Sequence, residues 1–177
     1  MLGVMDTSSY LKRRGNMSNF SLDSYAGKVS DIRGKVESSR SELDKLKEKK
    51  ERLLEAGTEV QGLDIDESVQ SAIMDSINQN LESVSDQAKE KSSEIGEGIS
   101  ELEGMREETQ DELDRTHAAY DKVGDIKGAL EAIGFGGALD GPLSELSGQE
   151  AQLANLNETI IEAQQEAEQL SQELDSL

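Results

Sequence analysis

The single histidine, His117, is the first residue whose side chain could take part in chemistry. A zinc site needs several His, Cys or carboxylate ligands that converge on one point. The chain has one histidine and no cysteine. We therefore expect His117 to lie at a solvated helix edge and to bind no metal, and we predict no cofactor.

Acidic pairs such as Glu107-Glu108 and Asp111-Glu112 are the second group that could do chemistry. Two carboxylates act as acid and base only in a pocket that separates their pKa values, and calcium needs a fixed oxygen cage. Exposed helix faces supply neither. The segment 64–67 lacks the glycine and alternating spacing of an EF-hand loop, so it predicts a capping box. With no nucleophile, base and orienting group together, we expect no enzymatic activity.

A glycine-rich segment, Gly134 to Pro142, is the third such feature. Glycine-rich loops bind phosphate when they follow a strand and open a helix with a converging lysine. Here a helical pattern precedes the segment, and Lys127 is the last basic residue of the chain. We interpret it as an apolar tip between two helices. Its partner-binding candidates are Ile133, Phe135, Leu139 and Leu143. Insertion of this tip into a membrane, as in the heads of helical pore-forming toxins, is an alternative.

The elements that position these residues follow from a strict apolar repeat. Steps of three and four residues connect Leu153, Leu156, Ile160, Ala163, Ala167, Leu170, Leu174 and Leu177. This spacing predicts a coiled-coil seam. Similar stripes cover residues 22–53 and 69–133, and the second stripe changes phase at Thr109 through a four-residue stutter. We expect the end of the last helix, at Leu174 and Leu177, to be exposed and available to a second molecule.

The predicted fold is all-α: an elongated antiparallel coiled coil of three long helices, with the middle one longest. The expected bounds are about 21–56, 65–133 and 142–177. Gly57 is expected to end the first helix, Pro142 to start the last, and the middle helix to continue through Gly96–Gly104. The outer helices would lie against opposite halves of the middle one. The alternative is a compact three- or four-helix bundle in which the outer helices lie side by side with complementary charges.

The first residues differ in composition from the rest. Residues 1–18 predict a disordered leader that is not native, because Arg13 to Met17 fits a translated ribosome-binding site with Met17 as the natural start. That interpretation implies a bacterial gene and leaves residues 19–177 as one helical domain. Basic residues follow a short apolar stretch, the reverse of a secretory signal. We expect a cytoplasmic protein, or one exported without a cleavable signal peptide.

The charge of the chain restricts its partners. It has 38 acidic and 18 basic residues, a formal net charge of -20, which repels nucleic acid and anionic membranes. No apolar run approaches the roughly 20 residues of a transmembrane helix. With 32% charged and 3% aromatic residues, the composition is typical of long helices. The expected partners are another helical protein, a toxin, or a second copy of the chain.

From Met17 onward the predicted helical hairpins are acidic, contain no cysteine, are rich in Gln, Glu, Ser and Ala, and follow no signal peptide. In these general features the chain resembles the small helical proteins of Gram-positive type VII secretion, including LXG-type toxin N-terminal regions and their helical partners. The Trp-x-Gly turn of the related WXG100 family is absent, because the chain has no tryptophan. The resemblance implies a partner, chaperone or targeting module of a secreted toxin. A structural rod of a phage or cell envelope is the alternative.

Overall fold

The computed structural model describes residues 21–177, and this range folds into three long α-helices and no strand. The helices are α1 (Leu22–Gln61), α2 (Glu67–Glu131) and α3 (Asp140–Asp175), with a 3-10 turn (Gly136–Leu139) between α2 and α3. The predicted all-α class, with the middle helix longest, is confirmed. The expectations about a leader and about Met17 concern residues outside the described range.

The start of α1 agrees with the sequence, but its predicted end at Gly57 is wrong. Ser21 caps the helix, because its hydroxyl accepts a hydrogen bond from the Ser24 amide at 3.3 Å. Gly57 does not cap, because it is buried within the helix and faces α2. A Cβ added to Gly57 would lie 3.9 Å from Ile77 Cγ2, in van der Waals contact. Helix packing explains this glycine, and α1 continues to Gln61.

The start of α2 also differs from the prediction, whereas its continuity is confirmed. No capping box forms over residues 64–67; Asp66 caps the helix by accepting from the Ser68 amide at 2.9 Å. From there α2 runs unbroken for 65 residues, roughly 100 Å, through Gly96–Gly104. At Gly98 the missing side chain makes room for α1, since a Cβ there would lie only 3.3 Å from Ile32 Cγ2.

The connection from α2 to α3 is a Schellman turn. Gly134 has φ +84, and the amides of Gly134 and Phe135 donate to the carbonyls of Glu131 and Leu130 at 3.0 and 2.9 Å. The predicted start of α3 at Pro142 is wrong, because the helix begins at Asp140. A proline fits inside the first turn, where amides have no partner within the helix.

The three helices are staggered. α1 and α3 are each antiparallel to α2, and α1 and α3 run parallel to each other along the middle of α2. These directions follow from polar contacts between helices: Glu42 with Lys91, Lys28 with Glu101, Ser92 with Ser171, His117 with Glu150, Arg33 with Glu162, and Lys47 with Glu173. The middle is therefore a three-helix bundle, with the outer helices side by side, as the predicted alternative had it. Two-helix extensions project at each end, and we call residues 54–81 the first arm and residues 112–150 the second arm.

The core lies along the seams that the sequence predicted, except at the start of the α2 stripe, where Val69 and Ile73 are exposed because only α1 lies beside α2 in the first arm. The buried apolar residues include Val29, Ile32, Val36, Leu43, Val84, Ala88, Ile95, Leu102, Ile160, Ala163, Ala167, Leu170 and Leu174. The expected exposure of the α3 end is wrong, because Leu174 is only 1% exposed and Leu177 packs against the same core. The cause is α1, which extends beside this end and whose Lys50 Nζ donates to the Leu177 carbonyl at 2.6 Å.

Candidate interaction surface

The predicted partner-binding residues separate into two places. Ile133 and Phe135 are each 66% exposed at the tip of the second arm. Leu139 and Leu143 follow them in the 3-10 turn and the first turn of α3, where both are partly buried. The structure therefore brings these four residues to one tip. It places Leu174 and Leu177 in and against the three-helix core, far along α3.

Several exposed apolar residues were not predicted. Ile126, 54% exposed, lies on the side of the second arm. It falls outside the stripe predicted for α2, but it precedes Ile133 by seven residues, a signal that could have identified it. In the first arm the exposed apolar residues are Leu54, Leu63, Ile65, Val69 and Ile73.

Carboxylates of α3 face the cations of α1 along the three-helix part. Arg33 Nη2 lies 3.0 Å from Glu162 Oε2 and 3.4 Å from Glu166 Oε1, and Lys47 Nζ lies 2.7 Å from Glu173 Oε2. The hydrogen bond and charge of Lys47 lower the pKa of Glu173 below its ordinary value. Exposed pairs of this kind contribute little to stability, because water screens the charges and both side chains lose conformational freedom. They therefore select the orientation of α1 more than they stabilise it.

A tyrosine marks the point where α1 begins beside α2. Tyr25 is 8% exposed, and its hydroxyl donates to Glu108. Burial, followed by the hydrogen bond and charge of Glu108, raises the pKa of Tyr25 to about 12. Beside this turn, Leu22, Val29 and residues 152–159 of α3 line an open groove of about 460 Å³. The groove lies at the entrance to the second arm.

His117 lies at an exposed helix edge, as predicted, and connects the two helices of the second arm. Its Nδ1 lies 2.8 Å from Glu150 Oε1, and its Nε2 lies 3.8 Å from Asp121 Oδ2. The hydrogen bond to Glu150, followed by the charge of Asp121, raises the pKa of His117. Between residues 21 and 177, no three or more His, Cys, Asp or Glu side chains are grouped to hold a metal. When it is protonated, His117 forms an ion pair with Glu150 across the second arm.

The end of the second arm is held by a further ion pair. Lys127 Nζ lies 2.7 Å from Asp140 Oδ1 and 3.7 Å from Glu131 Oε1. The hydrogen bond and charge of Asp140 raise the pKa of Lys127. Together with the Schellman turn at Gly134, this pair fixes the end of α2 against the start of α3.

Comparison of the chain with protein-family models, curated proteins and solved structures gave no significant match. Within the described range, no helix combines the length and apolar character needed to cross a bilayer.

Proposed function

We propose that this chain is a non-enzymatic helical interaction protein and that the second arm holds its partner. The observation that carries the proposal is the exposure of Ile126, Ile133 and Phe135, each more than half exposed, on one two-helix hairpin. Grouped exposed apolar side chains are typical of interaction sites. The hairpin that presents them ends in the Schellman turn at Gly134, whose backbone hydrogen bonds set the position of Ile133 and Phe135.

The finer role that we propose is that of a partner, chaperone or targeting module for a secreted bacterial toxin. The support for it is the style of the chain: acidic, helical and without cysteine. A helical module of this kind would bind through a face, because the carboxylates of α3 and α2 lie on exposed surfaces where acid–base chemistry gains nothing from desolvation.

A structural role is the second proposal, and one observation favours it. Exposed apolar residues lie at both ends of the molecule, with Leu63 and Ile65 at the first arm and Ile133 and Phe135 at the second. Contacts between unlike ends of successive copies would generate an open filament. Such a rod would lengthen with protein concentration.

Site-specific photo-crosslinking in the cells that produce the protein tests the interaction role. A photoreactive residue replaces Ile133 in one variant and Gln165, an exposed residue on α3 within the three-helix part, in a matched control. We expect a discrete product from position 133, with a mass other than a multiple of the chain, and none from position 165. A ladder of crosslinked products at multiples of the chain mass would support the filament instead. Equal labelling from both positions, or none, would reject the proposal.

A further inference from the structure

A long groove runs between α2 and α3, and α1 already occupies part of its length. Along the three-helix part, Ile32 packs against Gly98 of α2, while Arg33 and Lys47 bind carboxylates of α3. α1 thus shows what this groove accepts: an amphipathic helix with an apolar stripe facing inward and cations toward α3.

The groove continues beyond the start of α1. α1 begins at Leu22, and its first turn reaches Glu108 of α2. From that point α2 extends to Glu131, a further roughly 35 Å at 1.5 Å per residue, with α3 beside it. No helix of residues 21–177 lies on the α1 side of this stretch.

The floor of the uncovered stretch is apolar. Beyond Glu108, the face of α2 that α1 covers continues to Glu112, one helical turn further. From Glu112 the same face of α2 recurs every seven residues through Ala119 and Ile126, and Ile133 follows in the turn after the end of α2. Ile126 and Ile133 are 54% and 66% exposed, so this line has apolar side chains with no cover from the described part of the chain.

The α3 side of the stretch is acidic and in register with the part that binds α1. Glu145 lies three heptads before Glu166 and four heptads before Glu173. It therefore occupies the same side of α3 as these two residues, which bind Arg33 and Lys47 of α1. Within residues 21–177, Glu145 forms no ion pair in this structure.

The charge of the whole arm has the same sign. Residues 112–150 include eight Asp and Glu and three Lys and Arg. Two of these cations are already paired within the arm, Arg115 with Glu112 at 3.3 Å and Lys127 with Asp140 at 2.7 Å. A basic helix bound along the second arm therefore meets carboxylates of both α2 and α3.

We infer that the second arm binds a basic amphipathic helix of another protein, in line with α1, so that the three-helix bundle continues to the tip. The inference rests on the proposed interaction function and names the chemistry of its partner. The helix is roughly 20 residues long, has apolar residues at steps of three and four, and directs Lys or Arg toward Glu145. A second copy fits poorly, since its most basic helix, α1, is already packed in its own bundle and the chain carries a net charge of -20.

Fluorescence anisotropy with synthetic peptides tests the inference on the full chain. The probe is a labelled peptide of three repeats of Leu-Lys-Ala-Leu-Lys-Ala-Lys. Two further peptides are controls, one with every Lys replaced by Glu and one with the original residues in scrambled order. We expect the full chain to bind the first peptide at least tenfold more tightly than either control. Equal binding of the acidic or the scrambled peptide would overturn the inference.

Variants of exposed residues locate the binding. We expect Ile126→Ser to weaken binding about fivefold, because an isoleucine that is half exposed loses its burial on the peptide. Glu145→Lys should weaken binding by a further several-fold. The matched controls are Ile73→Ser, an exposed residue of the first arm, and Glu158→Lys, the same charge change on an exposed position of α3 outside the arm. If Ile73→Ser and Glu158→Lys weakened binding as much as Ile126→Ser and Glu145→Lys, the peptide would bind elsewhere and the inference would be overturned.

Other occupants give different results. If the wild type dimerises in sedimentation and Ile126→Ser abolishes the dimer, the occupant is a second copy and the inference is wrong. It is also wrong if a chain that starts at Met17 binds the peptide far more tightly than the full chain does, because the first residues of the chain then compete for the groove. Photo-crosslinking at position 133 does not depend on partner charge. A discrete crosslink without peptide binding would therefore reject only the basic helix, and loss of both would reject the interaction function too.

Discussion

Three glycines in the middle of α2 should respond differently to replacement by alanine, and the difference measures how closely α1 approaches. Glycine within a helix costs about 1 kcal/mol relative to alanine. A Cβ added to Gly96 or Gly104 meets nothing within 4 Å, so each replacement should raise the free energy of unfolding by about 0.5–1 kcal/mol. A Cβ on Gly98 would lie 3.3 Å from Ile32 Cγ2, and Ile32 is 3% exposed, so it has little room to move.

For Gly98→Ala we expect the gain in helix propensity to be offset by the displacement of Ile32, since overpacking a core commonly costs about 1–3 kcal/mol. The net change should be near zero or destabilising. Gly98→Val adds two more methyl groups at this contact and should destabilise by about 2 kcal/mol. Urea unfolding followed by circular dichroism gives these differences directly, provided that the slope with urea stays constant. If Gly98→Ala stabilised as much as Gly104→Ala, α1 would not pack against α2 at this position.

Further predictions concern the end of α3, the Schellman turn and the ion pair of the histidine. Leu174→Ala should lower the free energy of unfolding by about 3 kcal/mol, because the side chain is 1% exposed. Phe135→Ala is the control and should change it by less than about 0.5 kcal/mol, because that side chain is 66% exposed. Similar urea midpoints for the two variants would contradict the assigned burial. Gly134→Ala should destabilise by about 1 kcal/mol, since φ is +84 there and the space is open, and Gly141→Ala, in the first turn of α3, should not. The raised pKa of His117 means that its ion pair stabilises the fold fully below pH about 6.5, the pKa in the unfolded chain, and that this contribution disappears as pH rises through the higher folded value. His117→Gln should remove this pH-dependent part, as difference curves of stability between pH 5 and 9 would show; an unchanged pH profile would contradict the ion pair.

The heptad pattern predicted which face of each helix is buried, because that depends on the local order of apolar and polar residues. It could not predict which neighbour covers the face. Leu174 and Leu177 looked exposed only because the sequence does not show that α1 extends beside them, as the Lys50 contact to the Leu177 carbonyl does. Gly57 was read as a helix end for the same reason, since its role is packing against Ile77.

The tip of the second arm was predictable in part. Ile133 and Phe135 adjoin a run of glycines, and apolar residues beside a turn cannot all be buried by two helices. Ile126 was not predicted, because it lies beside the continuous apolar stripe of α2, where side chains are expected to be solvated. The capping prediction failed at short range, since Asp66 lies close enough to the Ser68 amide to take the role expected of Asp64.

The heptad register of α2 connects the fold to the proposed surface. Leu102, Thr109 and Thr116 follow one another at seven residues across the predicted stutter and are 0%, 0% and 7% exposed, so the buried line is not rotated there. This line continues in register past the contact between Tyr25 and Glu108, beside which the number of helices changes from three to two. A second line at the same spacing starts from Gly98, where Ile32 of α1 packs, and passes through Met105, Glu112, Ala119 and Ile126. Because the register is kept, the second line stays on the α1 side of α2. Beyond the start of α1, its apolar residues therefore have no cover from the described part of the chain.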